Sequence, residues 1–325
     1  MRTRPLLLIP AVITGLGLAL GTSFSQRQSS PSSRSVEAAP AMPSAVALPF
    51  RPGQPAAPNG RRYPRVPEDP QATAMLLAKV ETALRDPATA EKDLPDLGHQ
   101  QQVIYRVLSA DRSRSEPVLA ALPQRWRGIA ERHLAARREF LRMSRGRGPS
   151  VLPAWRIIQP EPADRLISYY KKAEAATGIA WEVLAAVNLV ETGMGRIDGV
   201  SVANAQGPMQ FLPTTWSEPG IGKGNIRDPH DAIQAAARYL VRRGGLQDIR
   251  RGLWGYNNSD YYGKAVMLYA SLIKEDPMAY RGLYHWEIHF NAETGDLWLP
   301  VGYNQPQRIA VTDYIRKHPA SVSPN

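Results

Sequence analysis

The chain of 325 residues contains no cysteine, which removes one class of stabilising bond and two classes of site. Disulfide bridges, thiolate-ligated metal centres and a lipidated N-terminal cysteine are excluded. The six histidines are scattered, and no cluster of histidine and acidic residues has the spacing of a metal site. The sequence therefore predicts no metal and no cofactor.

Acidic residues are scarce relative to basic ones, with 29 Asp and Glu against 40 Lys and Arg and a net charge of +11. Such an excess favours nucleic acid, an anionic membrane surface or an anionic wall polymer as a partner. The basic residues are scattered, however, and no stripe of interleaved aromatic and basic side chains is present. Together with the export signal described next, this predicts no nucleic-acid partner and only a supplementary affinity for an anionic wall or membrane surface.

The N-terminus carries the pattern of an export signal. Arg2 and Arg4 precede an apolar run from Leu6 to Phe24, as a charged n-region precedes an h-region. No sharp small-x-small cleavage site follows, so residues 1–24 are interpreted as a signal peptide or an N-terminal membrane anchor. The next residues, 25–70, are rich in Pro, Ser and Ala and are predicted to be a disordered linker. The protein is expected outside the cytoplasm, in the cell wall or anchored to the membrane.

The rest of the chain is predicted to be mainly α. Apolar residues at helical spacing indicate a helical accessory segment at residues 71–150. Three prolines mark a boundary near residue 151, and a second helical domain is expected to run to residue 276. In the remaining segment, residues 277–325, the turn residues Thr294-Gly295-Asp296 lie between two alternating runs and predict a small β-hairpin followed by a tail.

One carboxylate stands out chemically. The segment from Ile179 to Val190 is apolar around most of a helix surface, and Glu191 follows directly, before the helix-ending Gly193 and Gly195. Apolar neighbours and the negative end of the helix dipole both oppose ionisation, so the pKa of Glu191 should be raised. A glutamic acid that keeps its proton near neutral pH is suited to general acid catalysis of glycosidic bond cleavage.

Three motifs follow Glu191-Thr192 in order. They are Ser201, Gly207-Pro208-Met209-Gln210-Phe211-Leu212-Pro213 and Gly255-Tyr256-Asn257. In this combination the chain resembles the soluble lytic transglycosylase (SLT) domain family, and in type it is most similar to the secreted transglycosylase-domain proteins of high-GC Gram-positive bacteria. The sequence departs from the family pattern at Thr192, Pro208, Leu212 and the segment after Asn257, and these departures are expected to affect subsite preference rather than the reaction.

The resemblance implies a lysozyme-like catalytic fold for residues 151–276 and peptidoglycan glycan strands as the substrate. It implies cleavage of the β-1,4 bond between N-acetylmuramic acid (MurNAc) and N-acetylglucosamine (GlcNAc), with formation of a 1,6-anhydro ring. Glu191 is then the single catalytic acid and base. The residues expected to bind the sugar are Ser201, Met209, Gln210, Leu212, Tyr256 and Asn257. The resemblance does not identify a protein partner.

Two alternatives stay open on the sequence alone. A muramidase would hydrolyse the same bond, and it would need a second acid, for which Asp198 is the candidate. A non-catalytic wall-binding protein would be marked by loss of the acid, whereas Glu191 is present. Glu182 lies on the other side of the helix from Glu191 and is interpreted as a solvated charge.

Overall fold

The computed structural model describes residues 46, 48–50, 52–144 and 148–325, and twelve α-helices make up most of this part of the chain. The fold is mainly α, as predicted. None of the helices in the described ranges is both long and apolar enough to cross a bilayer. The predicted signal peptide or anchor, residues 1–24, lies outside the described residues.

The helices fall into an N-terminal group of four and a second group of eight. The first four helices are α1 (Pro70–Arg85), α2 (Leu94–Ala110), α3 (Arg112–Ala121) and α4 (Gln124–Met143). The others are α5 (Ala163–Thr177), α6 (Trp181–Thr192), α7 (Pro213–Trp216), α8 (Pro229–Arg242), α9 (Ile249–Asn257), α10 (Asp260–Glu275), α11 (Ala279–Tyr284) and α12 (Val311–Lys317).

Six short strands form three antiparallel pairs in the described residues. The pairs are β1 (Val151–Leu152) with β6 (Ile309–Ala310), β2 (Arg156–Ile157) with β3 (Ile197–Asp198), and β4 (Ile288–Ala292) with β5 (Gly295–Leu299). The pair β4–β5 is the predicted C-terminal hairpin, and Gly295 lies in its turn region with φ of +112°.

Short polar side chains cap the N-termini of α8 and α10. The carboxylate of Asp228 accepts a hydrogen bond from the backbone nitrogen of Asp231 at 2.9 Å, and Pro229 occupies the first turn of α8. The hydroxyl of Ser259 accepts from the backbone nitrogen of Tyr262 at 3.3 Å and starts α10. Asp and Ser are residue types that favour the N-cap position, and Pro favours the first helical turn.

A single large hydrophobic core joins the N-terminal helices to the rest. Helix α10 packs against α4 on one side and against α6 on the other. Buried residues of both groups, among them Leu134 on α4 and Ile273 on α10, belong to the same cluster. The boundary predicted at residue 150 therefore divides the sequence but not the hydrophobic core.

The C-terminal hairpin closes over the end of α6. Ile288 of β4 belongs to a smaller second core around the strands, and its side chain lies against Gly193. A Cβ added at Gly193 would come within 2.6 Å of the Cδ1 atom of Ile288, and Gly193 also has φ of +60°. Only glycine fits this position without strain.

Residues 52–69 of the predicted linker pack against the rest of the protein, whereas residues 25–45 lie outside the described residues. Tyr63 and Val66 are buried in the large core. Arg61 donates from Nε to a carboxylate oxygen of Asp96 at 2.7 Å and forms a second ion pair with Glu287. The prediction is therefore wrong for residues 52–69, because two apolar side chains and one paired arginine attach this stretch to α2 and the hairpin.

Candidate active site

Glu191 lies in the last turn of α6, and its side chain is buried. Ten consecutive residues of this helix, from Val183 to Thr192, are buried, which matches the apolar sequence. Gly193 ends the helix in the left-handed conformation, and its backbone nitrogen donates to the carbonyl of Leu189 at 2.9 Å. The carboxyl group of Glu191 is therefore fixed on a well-packed element and retains 4% exposure.

The carboxyl group of Glu191 is held by one hydrogen bond. The hydroxyl of Tyr262 donates to Oε1 at 2.7 Å, and Oε2 has no partner among the described residues. Burial raises the pKa of Glu191 to about 8, and the Tyr262 hydrogen bond only partly opposes this rise. The side chain therefore carries a proton through most of the neutral range.

Tyr262 is the contact that sequence reasoning missed. Its ring lies parallel to that of Tyr256, with an interplanar angle of 4° and 6.4 Å between centroids. The cap at Ser259 predicts where α10 begins and therefore that Tyr262 lies in the first turn. No local signal gives the direction of α10 relative to α6, and this direction creates the contact with Glu191.

Thr192 ties the end of α6 to the loop around Met209. Its hydroxyl donates to the carbonyl of Pro208 at 2.6 Å and accepts from the backbone nitrogen of Gly195 at 3.0 Å. Gly207 has φ of +74°, and a Cβ there would collide with the carbonyl of Ile226. The hydroxyl and the glycine together fix the position of the loop relative to Glu191.

Met209 and Gln210 contribute to the loop mainly through its internal contacts. Met209 is fully buried, and its carbonyl accepts a hydrogen bond from the Tyr256 hydroxyl at 2.7 Å. Gln210 has φ of +49°, and its Nε2 donates to the carbonyl of Gly207 at 3.0 Å. In this arrangement Met209 presents no side-chain surface to a sugar.

Asn257 and Ser201 differ in their free hydrogen-bonding capacity. Asn257 ends α9 with 3% exposure, and its Oδ1 has no hydrogen-bond partner among the described residues. The Ser201 hydroxyl accepts from the backbone nitrogens of Ala203 at 3.2 Å and Ala205 at 3.0 Å, so it organises its own loop. The buried Oδ1 of Asn257 is costly to leave without a partner unless a ligand or water satisfies it.

Leu212, the remaining predicted sugar contact, is half-buried at the start of α7.

The family comparison covers the segment that carries these residues. Residues 168–261 match the family model described as "Transglycosylase SLT domain". This segment is an SLT transglycosylase domain. Neither the curated proteins nor the solved structures contain a match to the chain. The SLT match includes Glu191, the loop around Met209 and Asn257, and at family level this domain supports lytic transglycosylase-type cleavage of peptidoglycan.

Asp198, the candidate second acid, lies within the SLT domain but in an ion-pair network. Its carboxylate accepts from Arg156 Nε at 3.0 Å and from Arg227 at 3.2 Å. Arg227 also reaches the side-chain oxygen of Gln206 at 3.4 Å. No hydrogen bond joins Asp198 to Glu191 among the described residues, and Asp198 is not among the causes of the raised pKa of Glu191.

One group in the described ranges has the geometry to hold a metal ion, although the sequence predicts no metal site. Asp228, His230 and Asp231 bring three ligand atoms within 4.8 Å of one another at the surface end of α8. Asp228 already caps α8, and Asp231 accepts from the backbone nitrogen of Asn225 at 2.9 Å and contacts His230. These hydrogen bonds explain why the three side chains lie together, because they form at the N-terminus of α8.

Proposed function

We propose that the protein cleaves the β-1,4 bond between MurNAc and GlcNAc in peptidoglycan and forms a 1,6-anhydroMurNAc end, with Glu191 as the single acid and base. The observation that carries the proposal is the environment of Glu191. A carboxyl group with 4% exposure, one neutral hydrogen-bond donor and a pKa raised to about 8 is a proton donor near neutral pH.

In the first step Glu191 donates its proton to the oxygen of the breaking bond. Oε2 is suited to this step because Tyr262 occupies Oε1 and leaves the other oxygen without a partner among the described residues. The N-acetyl group of the muramyl sugar attacks its own anomeric carbon as the bond breaks. This attack replaces the nucleophilic carboxylate that other glycosidases supply.

In the second step the ionised Glu191 takes the proton from the 6-hydroxyl of the same sugar. The resulting oxygen attacks the anomeric carbon, displaces the N-acetyl oxygen and closes the 1,6-anhydro ring. The proton lost in the first step is regained, so the enzyme returns to its starting state without consuming water. A carboxyl pKa of about 8 serves both steps, because the conjugate base is strong enough to accept a proton.

The surroundings of Asp198 support a mechanism with one acid. Two arginines hold its carboxylate on the strand β3, and it makes no hydrogen bond to Glu191 within the described chain. A muramidase needs a carboxylate free to activate water or to attack the sugar. The carboxylate of Asp198 instead forms ion pairs that connect β3 to Arg156 and Arg227.

Among the proposed sugar contacts, Asn257 is the best supported. Its unpartnered Oδ1 can accept a hydrogen bond from an acetamido N–H. Ser201, Gln210, Leu212 and Tyr256 remain proposed contacts, with Gln210 and Tyr256 also holding the loop. Met209 is proposed to act through the position of its loop, since its side chain is fully buried.

The substrate places the proposed site of action outside the cytoplasm. Residues 1–24 would direct export or anchor the chain, and the net charge of +11 adds affinity for an anionic wall or membrane surface. Glycan strands are the proposed partner.

Digestion of purified peptidoglycan in ¹⁸O-labelled water tests the reaction. We expect unlabelled 1,6-anhydromuramyl ends by mass spectrometry. Labelled reducing muramyl ends would identify a muramidase and overturn the proposed product. Binding of glycan strands without any cleavage would identify a wall-binding protein instead. Glu191→Gln protein serves as the blank, because any product it forms at the same rate cannot come from this site.

A further inference from the structure

A group of buried cationic and polar side chains lies where α2, α4 and α10 meet. Its members are more than fifty residues from Glu191 in the sequence. Arg106 of α2 is 8% exposed, and Arg137 of α4 is 3% exposed. Tyr269 of α10 is 1% exposed, and electrostatic interactions link it to both arginines. The proposed reaction uses none of these residues.

The charges in this group do not balance. Asp296 is the acid that faces it, and Arg106 Nε donates to Asp296 at 2.9 Å. The same carboxylate accepts from the Tyr63 hydroxyl at 2.6 Å and contacts His289 Nδ1 at 2.9 Å. Burial opposes its ionisation, but Arg106 and His289 outweigh burial and hold the pKa of Asp296 well below its usual range. One carboxylate therefore faces two guanidinium groups.

The neighbouring histidines add no charge that would alter this balance. Burial lowers the pKa of His289 to about 4, and it lowers the pKa values of His99 and His133 well below their usual range. His99 Nε2 and His289 Nε2 lie 3.1 Å apart, which requires at least one of them to be unprotonated at that nitrogen. All three rings are neutral at pH 7.

Arg137 has no acidic partner within the described residues. Its Nε and one terminal nitrogen are buried without any hydrogen bond, and the same is true of one terminal nitrogen of Arg106 and of the Tyr269 hydroxyl. Glu139, the nearest acid on α4 in sequence, pairs with Arg142. Burial, followed by repulsion from Arg106, lowers the pKa of Arg137 to about 9, so the guanidinium remains charged at pH 7.

An isolated buried charge is strongly unfavourable unless an opposite charge neutralises it. Water can satisfy the free N–H and O–H groups, but it cannot supply the missing negative charge. The deficit is one charge, and the residues around it are almost completely buried. These two facts select a ligand that is monovalent and small.

We propose that a halide ion, chloride under ordinary conditions, binds between Arg106, Arg137 and Tyr269 and joins the N-terminal helices to α10. The free donors of these three side chains provide its hydrogen bonds. Because α10 also carries Tyr262, the ion stabilises the helix whose tyrosine hydrogen-bonds to Glu191 on α6.

Thermal unfolding of the full chain tests the proposal. Sodium chloride is titrated against sodium gluconate at constant ionic strength, since gluconate is too large for the buried position. Once chloride exceeds its dissociation constant, each tenfold increase should raise the folding equilibrium constant about tenfold. Arg137→Met should abolish this dependence. Arg138→Met is the matched control, because Arg138 is the next residue on α4, is only half-buried and should leave the dependence intact.

Crystals grown in sodium bromide give a second measurement that needs no variant. We expect an anomalous peak within hydrogen-bond distance of Arg137 Nε and the Tyr269 hydroxyl. If Arg137→Met does not fold, Tyr269→Phe removes one donor and should weaken the chloride dependence. Absence of both the chloride dependence and the bromide peak would mean that water fills the group. An equal dependence of stability on chloride in Arg137→Met and Arg138→Met would mean that chloride acts by screening surface charges. Either result overturns the proposal.

Discussion

Glu191 and Asp198 are two carboxylates on either side of the turn that follows α6, and their surroundings are opposite. Glu191 is 4% exposed, has Tyr262 as its one hydrogen-bond donor and has a pKa raised to about 8. The Asp198 side chain is 24% exposed and pairs with Arg156 and Arg227. Environment rather than residue type separates a neutral proton donor from a charged structural contact.

Substitution of Glu191 should reduce turnover more than any other change proposed for the site. Glu191→Gln keeps the shape and can still accept from Tyr262, but it cannot donate the catalytic proton, so turnover should fall by about 10² to 10⁴ or more. Asp198→Asn should cleave peptidoglycan to the same anhydro product. Glu182→Gln is the control on the same helix. Glu191 is not the single catalytic acid if folded Glu191→Gln protein turns over near the wild-type rate, or if Asp198→Asn loses as much activity as Glu191→Gln.

The same residue should make the protein less stable near neutral pH. Burial raises the pKa of Glu191 from 4.5 to about 8, so between these pH values the unfolded chain ionises while the folded chain keeps its proton. The contribution of the protonated Glu191 carboxyl group to the free energy of unfolding is fully present below pH 4.5, and it is lost as the pH rises to about 8. Glu191→Gln should therefore be more stable than the wild type at pH 7, by roughly 3 kcal/mol.

Denaturant unfolding at several pH values measures this difference. The advantage of Glu191→Gln should disappear in acid, below the ordinary pKa of 4.5. Glu182→Gln again provides the control, since it removes a carboxylate from α6 without removing the buried one. A Glu191→Gln advantage that does not change with pH would contradict the raised pKa.

Substitution of Tyr262 should reduce turnover less than substitution of Glu191, because Tyr262 acts through the pKa of Glu191. Tyr262→Phe removes the hydrogen bond that lowers the pKa of Glu191, so the pKa should rise further and the alkaline limb of the pH–rate profile should move to higher pH. Because one neutral hydrogen bond contributes about 1 kcal/mol, turnover at pH 7 should fall about tenfold at most. A reduced rate with an unmoved alkaline limb would assign Tyr262 a packing role alone.

Much of the helical architecture follows from local sequence signals. Asp228, Ser259 and Pro123 have residue types that favour helix ends, and each lies directly before a helix in the structure. The apolar surface of α6 predicts its nearly complete burial. Such signals are readable because they act within one or two helical turns. The packing of residues 52–69 was missed, because Arg61 pairs with Asp96 and Glu287 far along the chain.

Local sequence signals predict that Glu191 ends a buried helix and that the SLT motifs follow it in order, because an apolar helix surface and turn-forming residues are local properties. The surroundings of the carboxyl group depend instead on tertiary contacts. The Tyr262 hydroxyl lies 2.7 Å from Glu191 Oε1, and Arg156 and Arg227 pair with Asp198. The packing angle of α10 and the strand pairing of β2 with β3 bring together residues that are distant in the chain, and no local propensity specifies such contacts.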